Sequence, residues 1–153
     1  NRSNYMAWGV VEIPGRPTHY SVYATESHKT GLESRIRRFE YRKDGFVSIH
    51  SEAKTGQFLT KPIKLGTLAE RLMLNFVTHE GGSIRVGLET KTGKIIPGYG
   101  LDDCKALRGD SLSQMAVWKK GSDLSALEGK VVQLRMEIQN ADLYSFQFQP
   151  WLR

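Results

Sequence analysis

Val131-Val-Gln-Leu-Arg-Met-Glu-Ile138, followed after Asn140-Ala-Asp142 by Leu143-Tyr-Ser-Phe-Gln-Phe148, decides how this chain folds. Val132, Leu134, Met136 and Ile138 alternate with Gln133, Arg135 and Glu137, which is the two-residue period of a strand with one apolar face. Asn140-Ala-Asp142 interrupts the run, and Tyr144, Phe146 and Phe148 then alternate with Ser145 and Gln147. Two adjacent strands of this kind need a second layer over their apolar faces. That predicts a sandwich and not a lone sheet.

The same logic recurs upstream. Residues 83–89 turn Ile84, Val86 and Leu88 inward. Residues 71–79 carry Leu72, Leu74 and Phe76 on one face and Met73 and Val77 on the other, the pattern of a strand covered on both sides. Glu80-Gly-Gly82 reads as the turn between them, and Lys91-Thr-Gly-Lys94 as the next hairpin. Residues 56–60 and 113–120 supply further strands, and residues 122–127 at most one helical turn, capped by Ser122 or Asp123. Near the start, residues 7–12 and 19–24 pair across Ile13-Pro-Gly-Arg-Pro17, a polar loop spans 25–31, and a long strand covers 33–42. Lys43-Asp-Gly45 predicts a hairpin turn into a strand over 46–51. No window shows sustained helical periodicity. The expected fold is all-β, an antiparallel β-sandwich of jelly-roll or concanavalin-like type with about ten strands.

The 153 residues are enough for one core without staples. A single cysteine, Cys104, excludes an internal disulfide and a cysteine-based zinc site. No apolar run approaches the roughly 20 residues of a membrane-spanning helix. The chain opens on Asn1 with no signal-peptide pattern, which reads as a piece of a longer precursor. Its formal charge is +6, with 22 Lys and Arg against 16 Asp and Glu, yet the basic residues are scattered. Arg35 and Arg37 share one strand face while Arg38 takes the other, so no broad patch forms and nucleic acid is not the expected partner. An anionic polysaccharide is compatible with the charge.

The segment Trp118-x-x-Gly-Ser-Asp-Leu-Ser-x-Leu-x-Gly-Lys130, the strand after it and Asp142-Leu-Tyr-Ser-Phe146 resemble the closing β-sandwich module of exported bacterial glycoside hydrolases. Those enzymes place catalysis in a five-bladed propeller related to glycoside hydrolase families 32 and 43. Asp44-Gly-Phe-Val-Ser48, Phe58-Leu-Thr-Lys-Pro62 before Leu72-Met-Leu-Asn75, and Asp103-Cys104 with Gly109-Asp110 extend the resemblance over residues 33–148. It implies a secreted, periplasmic or cell-surface module that supports a propeller catalytic domain. Residues 43–153 would then be the sandwich, and residues 1–42 either strands left from the last propeller blade or an extension of the sandwich. The alternative is a stand-alone carbohydrate-binding or cell-surface adhesion domain.

Catalysis by the chain itself is not expected. A glycosidase needs two carboxylates roughly 5 to 9 Å apart across the scissile bond. Asp102, Asp103, Asp110, Asp123, Asp142 and Glu12 are the candidates, and their turn contexts suit capping better. His19, His28, His50 and His79 are scattered, and a lone Cys104 reads as a small core residue. For sugar binding, aromatic rings stack on C–H faces and Arg forks onto hydroxyls. Tyr99, between two glycines, is the expected exposed platform, with Trp118 and Arg108 as the other candidates. Trp8, Tyr20 and Tyr23 form the candidate interdomain strip. No cofactor is expected beyond a structural calcium on Asp102, Asp103 and Asp110, where Lys105 and Arg108 would compete.

Overall fold

A computed structural model describes residues 4–28 and 34–151. Residues 29–33, which the sequence reading divides between a loop and a strand start, lie outside them. The chain separates into two compact units between Phe46 and Val47. Both are all-β and antiparallel, and the described residues form ten strands with no α-helix.

The first unit holds β1 (Tyr5–Met6), β2 (Val11–Glu12), β3 (His19–Glu26) and β4 (Arg35–Arg42). β4 runs along the whole of β3, from His19 opposite Arg42 to Glu26 opposite Arg35. β1 and β2 therefore share the other edge of β3, at Thr25 and Ser21. The arginines of β4 are neutralised locally: Arg35 Nε and Arg37 Nη1 both donate to Glu26, at 2.7 and 2.8 Å, while Arg38 and Arg16 grip Glu40. These guanidinium groups, Arg35 foremost and against a smaller desolvation effect, hold the Glu26 carboxyl below its ordinary range. The split of Arg35 and Arg37 from Arg38 is the one their spacing predicts.

Asp44-Gly45 does turn the chain, with Asp44 at φ 50° and Gly45 N–H donating to the Arg42 carbonyl at 3.1 Å. It does not close a hairpin. The strand before it pairs with β3, whereas the next strand, β5 (Ile49–Ser51), pairs with the last strand of the chain.

The second unit adds β6 (Gly56–Leu59), β7 (Ile63–Lys64), β8 (Arg71–Thr90), β9 (Asp110–Met115) and β10 (Val131–Gln149). β8 and β10 form one long antiparallel ribbon; β5, β6 and β7 line the far edge of β10, and β9 the far edge of β8. Sequence reading expects breaks at Glu80-Gly-Gly82 and Asn140-Ala-Asp142. The strands instead run through both places and bend there. Gln139 pairs with Ser83 and Ala141 with Thr78, so residues 79–82 bulge opposite Asn140 alone. Gly81 at φ 71° and Asn140 at φ 42° supply the left-handed backbone that the bend requires. Arg108 Nη1 straps it from outside, donating to the carbonyls of Gly81 and Gly82 at 3.2 and 2.6 Å.

The bend folds the ribbon onto itself. Ala116 N–H donates to the Leu72 carbonyl at 2.9 Å, and two residues later the Trp118 indole N–H donates to the Val86 carbonyl at 2.7 Å. In a straight strand Leu72 and Val86 would stand about 46 Å apart. Here the short segment Ala116–Trp118 bonds to both. Leu72, Leu74 and Phe76 from one half and Ile84, Val86 and Leu88 from the other thus enter a single core with Val132, Leu134, Met136 and Ile138. Each such fully buried side chain contributes about 1.5–3 kcal/mol of transfer free energy. Tyr99, Cys104, Leu107, Leu124 and Leu127 close the core from the connecting segments. The two-layer arrangement is the expected sandwich, made by creasing one sheet.

Candidate functional site

The residues of the second ribbon half that alternate with the core face outward as a charged row. Gln57 of β6, Glu137 of β10 and Arg85 of β8 stand directly side by side in the ladder. Gln57 Nε2 donates to Glu137 Oε2 at 2.9 Å, and Arg85 Nη1 lies 3.7 Å from Glu137 Oε1. Beside them Arg135 clamps Glu89 through two bonds, Nε to Oε1 and Nη2 to Oε2, the second at 3.1 Å. Glu89 is only 5% exposed, so its carboxylate sits out of water, while a third of the Arg135 side chain stays exposed.

A wall rises over the β8 edge where residues 95–103 return. Gly87 lies under it; a Cβ there would come within 3.0 Å of the Leu101 backbone nitrogen. The short 3-10 turn at Leu101–Asp103 is fixed by Asp103, whose Oδ2 accepts the Gly100 N–H at 3.1 Å and whose Oδ1 lies 3.2 Å from Lys119 Nζ. Those two partners, the backbone N–H first, outweigh desolvation and hold the Asp103 carboxyl below its ordinary range. Sheet face and wall enclose a cleft of about 430 Å³, with Ile95 and Leu101 as its apolar patches.

Glu89 accepts from Arg135, Glu137 accepts from Gln57 and lies beside Arg85, and Asp103 lies beside Lys119, so all three carboxylates are occupied as acceptors. Arg85 Nε is buried with no hydrogen-bond partner among the described residues, a donor left facing an acceptor-poor surround.

The sequence-nominated sugar platform is elsewhere and closed. Tyr99 is 2% and Trp118 3% exposed; the rings meet edge to face at 5.5 Å in the core. Tyr99 Oη donates to the Asp123 carbonyl at 2.9 Å, and burial, with the Asp123 charge adding to it, pushes its pKa up. Neither ring offers a face to a sugar. Arg108, the third candidate, is the strap on the bend. The structure brings Tyr99 and Trp118 together, as packing.

The candidate interdomain strip does not form as a strip. Tyr20 and Tyr23 are three positions apart in the unbulged β3 and so face opposite sides of its sheet. Trp8 is fully exposed and Tyr23 partly so, while Tyr20 is half-buried under Lys43, whose Nζ lies 5.0 Å from its ring centre. Asp102, Asp103 and Asp110 do not converge as a ligand set among the described residues. Asp103 is committed to Gly100 and Lys119, and Asp110 opens β9 opposite Val77. Cys104 is buried, accepting the Val86 N–H at 3.4 Å; burial raises its thiol pKa, which keeps it a packing residue.

Sequence reasoning passed over Gln57, Arg85, Glu89, Arg135 and Glu137 as ordinary solvent-side residues. Their signal was present as polar positions alternating with the apolar stripes, but only strand pairing shows that they share one row. No protein-family model, no curated protein and no solved structure matches this chain.

Proposed function

We propose that the chain is a non-catalytic accessory β-sandwich module of a glycoside hydrolase, which supports a propeller catalytic domain and holds polysaccharide across the cleft. The observation that carries the binding role is the row Gln57–Glu137–Arg85 beside Arg135–Glu89. Such a row alternates fixed donors and acceptors at strand spacing, the pattern that neighbouring sugar hydroxyls match. Ile95 and Leu101 give C–H faces something apolar to rest on. The Arg85 side chain, 42% exposed, supplies guanidinium donors for a ring or hydroxyl oxygen. Trp8 and Tyr23 remain the residues we assign to contact with the parent's propeller, and export follows from the same reading.

Affinity electrophoresis of the chain in gels cast with neutral and sulfated polysaccharides tests this. Retention on at least one polymer, lost in Arg85→Ala and Glu137→Gln but kept in Tyr99→Phe, is the expected result. Because the net charge of +6 can retard the chain on any polyanion, the retention must survive a rise in salt. No retention on any polymer overturns the binding role.

A further inference from the structure

We infer that His50, His79 and Asp142 form a binding site for a divalent transition-metal ion at the crease of the ribbon. The three residues come from three adjacent strands, β5, β10 and β8. Asp142 and His50 are direct cross-strand partners, which sets their Cβ atoms about 4.5–5.5 Å apart. On the other side Asp142 pairs with Val77, so His79 is a diagonal neighbour and would ordinarily stand about 7–8 Å away. The bulge of residues 79–82 re-aims it. His79 Nε2 then lies 3.1 Å from Asp142 Oδ2, and His50 Nδ1 lies 3.1 Å from Oδ1. The two rings flank one carboxylate, with centroids 6.4 Å apart.

One ligand atom from each residue lies within 4.8 Å of both others. A tetrahedral ion with bonds of about 2.0–2.1 Å sets its ligands about 3.4 Å apart. Each imidazole nitrogen already lies 3.1 Å from one oxygen of the Asp142 carboxylate, His50 on Oδ1 and His79 on Oδ2, close to that spacing. The two imidazoles need draw in only slightly, and their side chains, each 49% exposed, are free to do so. Ser48 Oγ donates to Asp142 Oδ1 at 2.9 Å and fixes the carboxylate from behind.

Two imidazoles and one carboxylate select zinc or its neighbours over calcium, which prefers an all-oxygen cage. Three protein ligands on an exposed site leave a fourth position for water or a partner's donor. Bound there, the ion would tie β5, β8 and β10 together at the fold of the ribbon. This site is separate from the polysaccharide cleft and does not depend on it.

The test is titration of the metal-stripped chain with zinc chloride alone, by calorimetry, and with cobalt(II), by visible absorption. One ion per chain and a tetrahedral cobalt spectrum are expected. His79→Ala or His50→Ala should weaken zinc by more than about tenfold, and Ser48→Ala by about tenfold as the loss of an orienting partner. In the unaltered chain, ring resonances of His50 and His79, and not those of His19 or His28, should shift on zinc addition, a readout that needs no variant to fold. Absence of zinc binding, or equal binding by the His50→Ala/His79→Ala double variant, overturns the proposal and leaves a hydrogen-bonded cluster.

Discussion

Gly82 presses so closely on the backbone of Asn140 that a methyl group in place of its hydrogen would overlap the Asn140 carbonyl oxygen and lie 2.8 Å from that of Gln139. The contact sits where four residues of β8 pass one residue of β10. It is what lets the ribbon crease without losing its ladder on either side.

Gly82→Ala must therefore push the two strands apart at the crease, and backbone there cannot yield like a flexible side chain. A loss of about 2–3 kcal/mol is expected in urea unfolding. Gly66→Ala, with nothing within 4 Å of the added carbon, is the control and should stay within about 0.5 kcal/mol. Equal midpoints for the two variants would show that the crease is soft.

Tyr99 and Trp118 act as core groups, and their variants should behave so. Tyr99→Phe removes one hydrogen bond to the Asp123 carbonyl and should cost about 1 kcal/mol. Trp118→Phe leaves the Val86 carbonyl without the indole donor and a gap in the core, about 2–4 kcal/mol in all. Unchanged stability with lost polysaccharide retention would instead return these rings to a binding role.

How much of this was readable beforehand follows from the range of each interaction. The stripe Val132–Ile138 is local, and its inward face is the one alternation predicts. Alternation puts Tyr144 in phase with Phe146 and Phe148, but the register shifts between Leu143 and Ser145, which buries Leu143 and leaves Tyr144 half-exposed. A one-residue slip reverses a strand's faces, and no local pattern announces it. The cleft row and the histidine cluster were out of reach for a further reason. His50 and His79 are 92 and 63 residues from Asp142, so no spacing rule links them. The misplacement of Tyr99 came from reading flanking glycines as exposure; they serve a turn whose tyrosine points inward.

The Arg135–Glu89 pair gives a prediction in which the double variant matters more than the single one. Arg135→Met leaves the buried Glu89 carboxylate without its partner, and should cost about 2 kcal/mol, toward the low end for such pairs because the arginine is a third exposed. Glu89→Met/Arg135→Met removes both charges and should recover most of that loss. A double variant as unstable as the single one would mean that the pair contributes through packing and not charge.

Asp123 supplies the pH test. Its Oδ1 accepts the Ser125 hydroxyl at 2.6 Å and the Ser125 N–H at 2.9 Å, opening the 3-10 turn at Ser125–Leu127. These bonds, the hydroxyl first, outweigh the desolvation that would raise its pKa and hold the carboxyl below its ordinary range. A group whose pKa is lower folded than unfolded stabilises the fold fully above the unfolded value, about 3.9 for aspartate, and loses that contribution as pH falls through the folded value. Asp123→Asn keeps an acceptor oxygen but no charge. The gap in unfolding midpoint between it and the unaltered chain should be constant from pH 7 to about pH 5, then narrow as the solution is acidified further. A gap that stays the same at pH 3 would place the stabilisation in the geometry of the turn, with no contribution from the carboxylate charge.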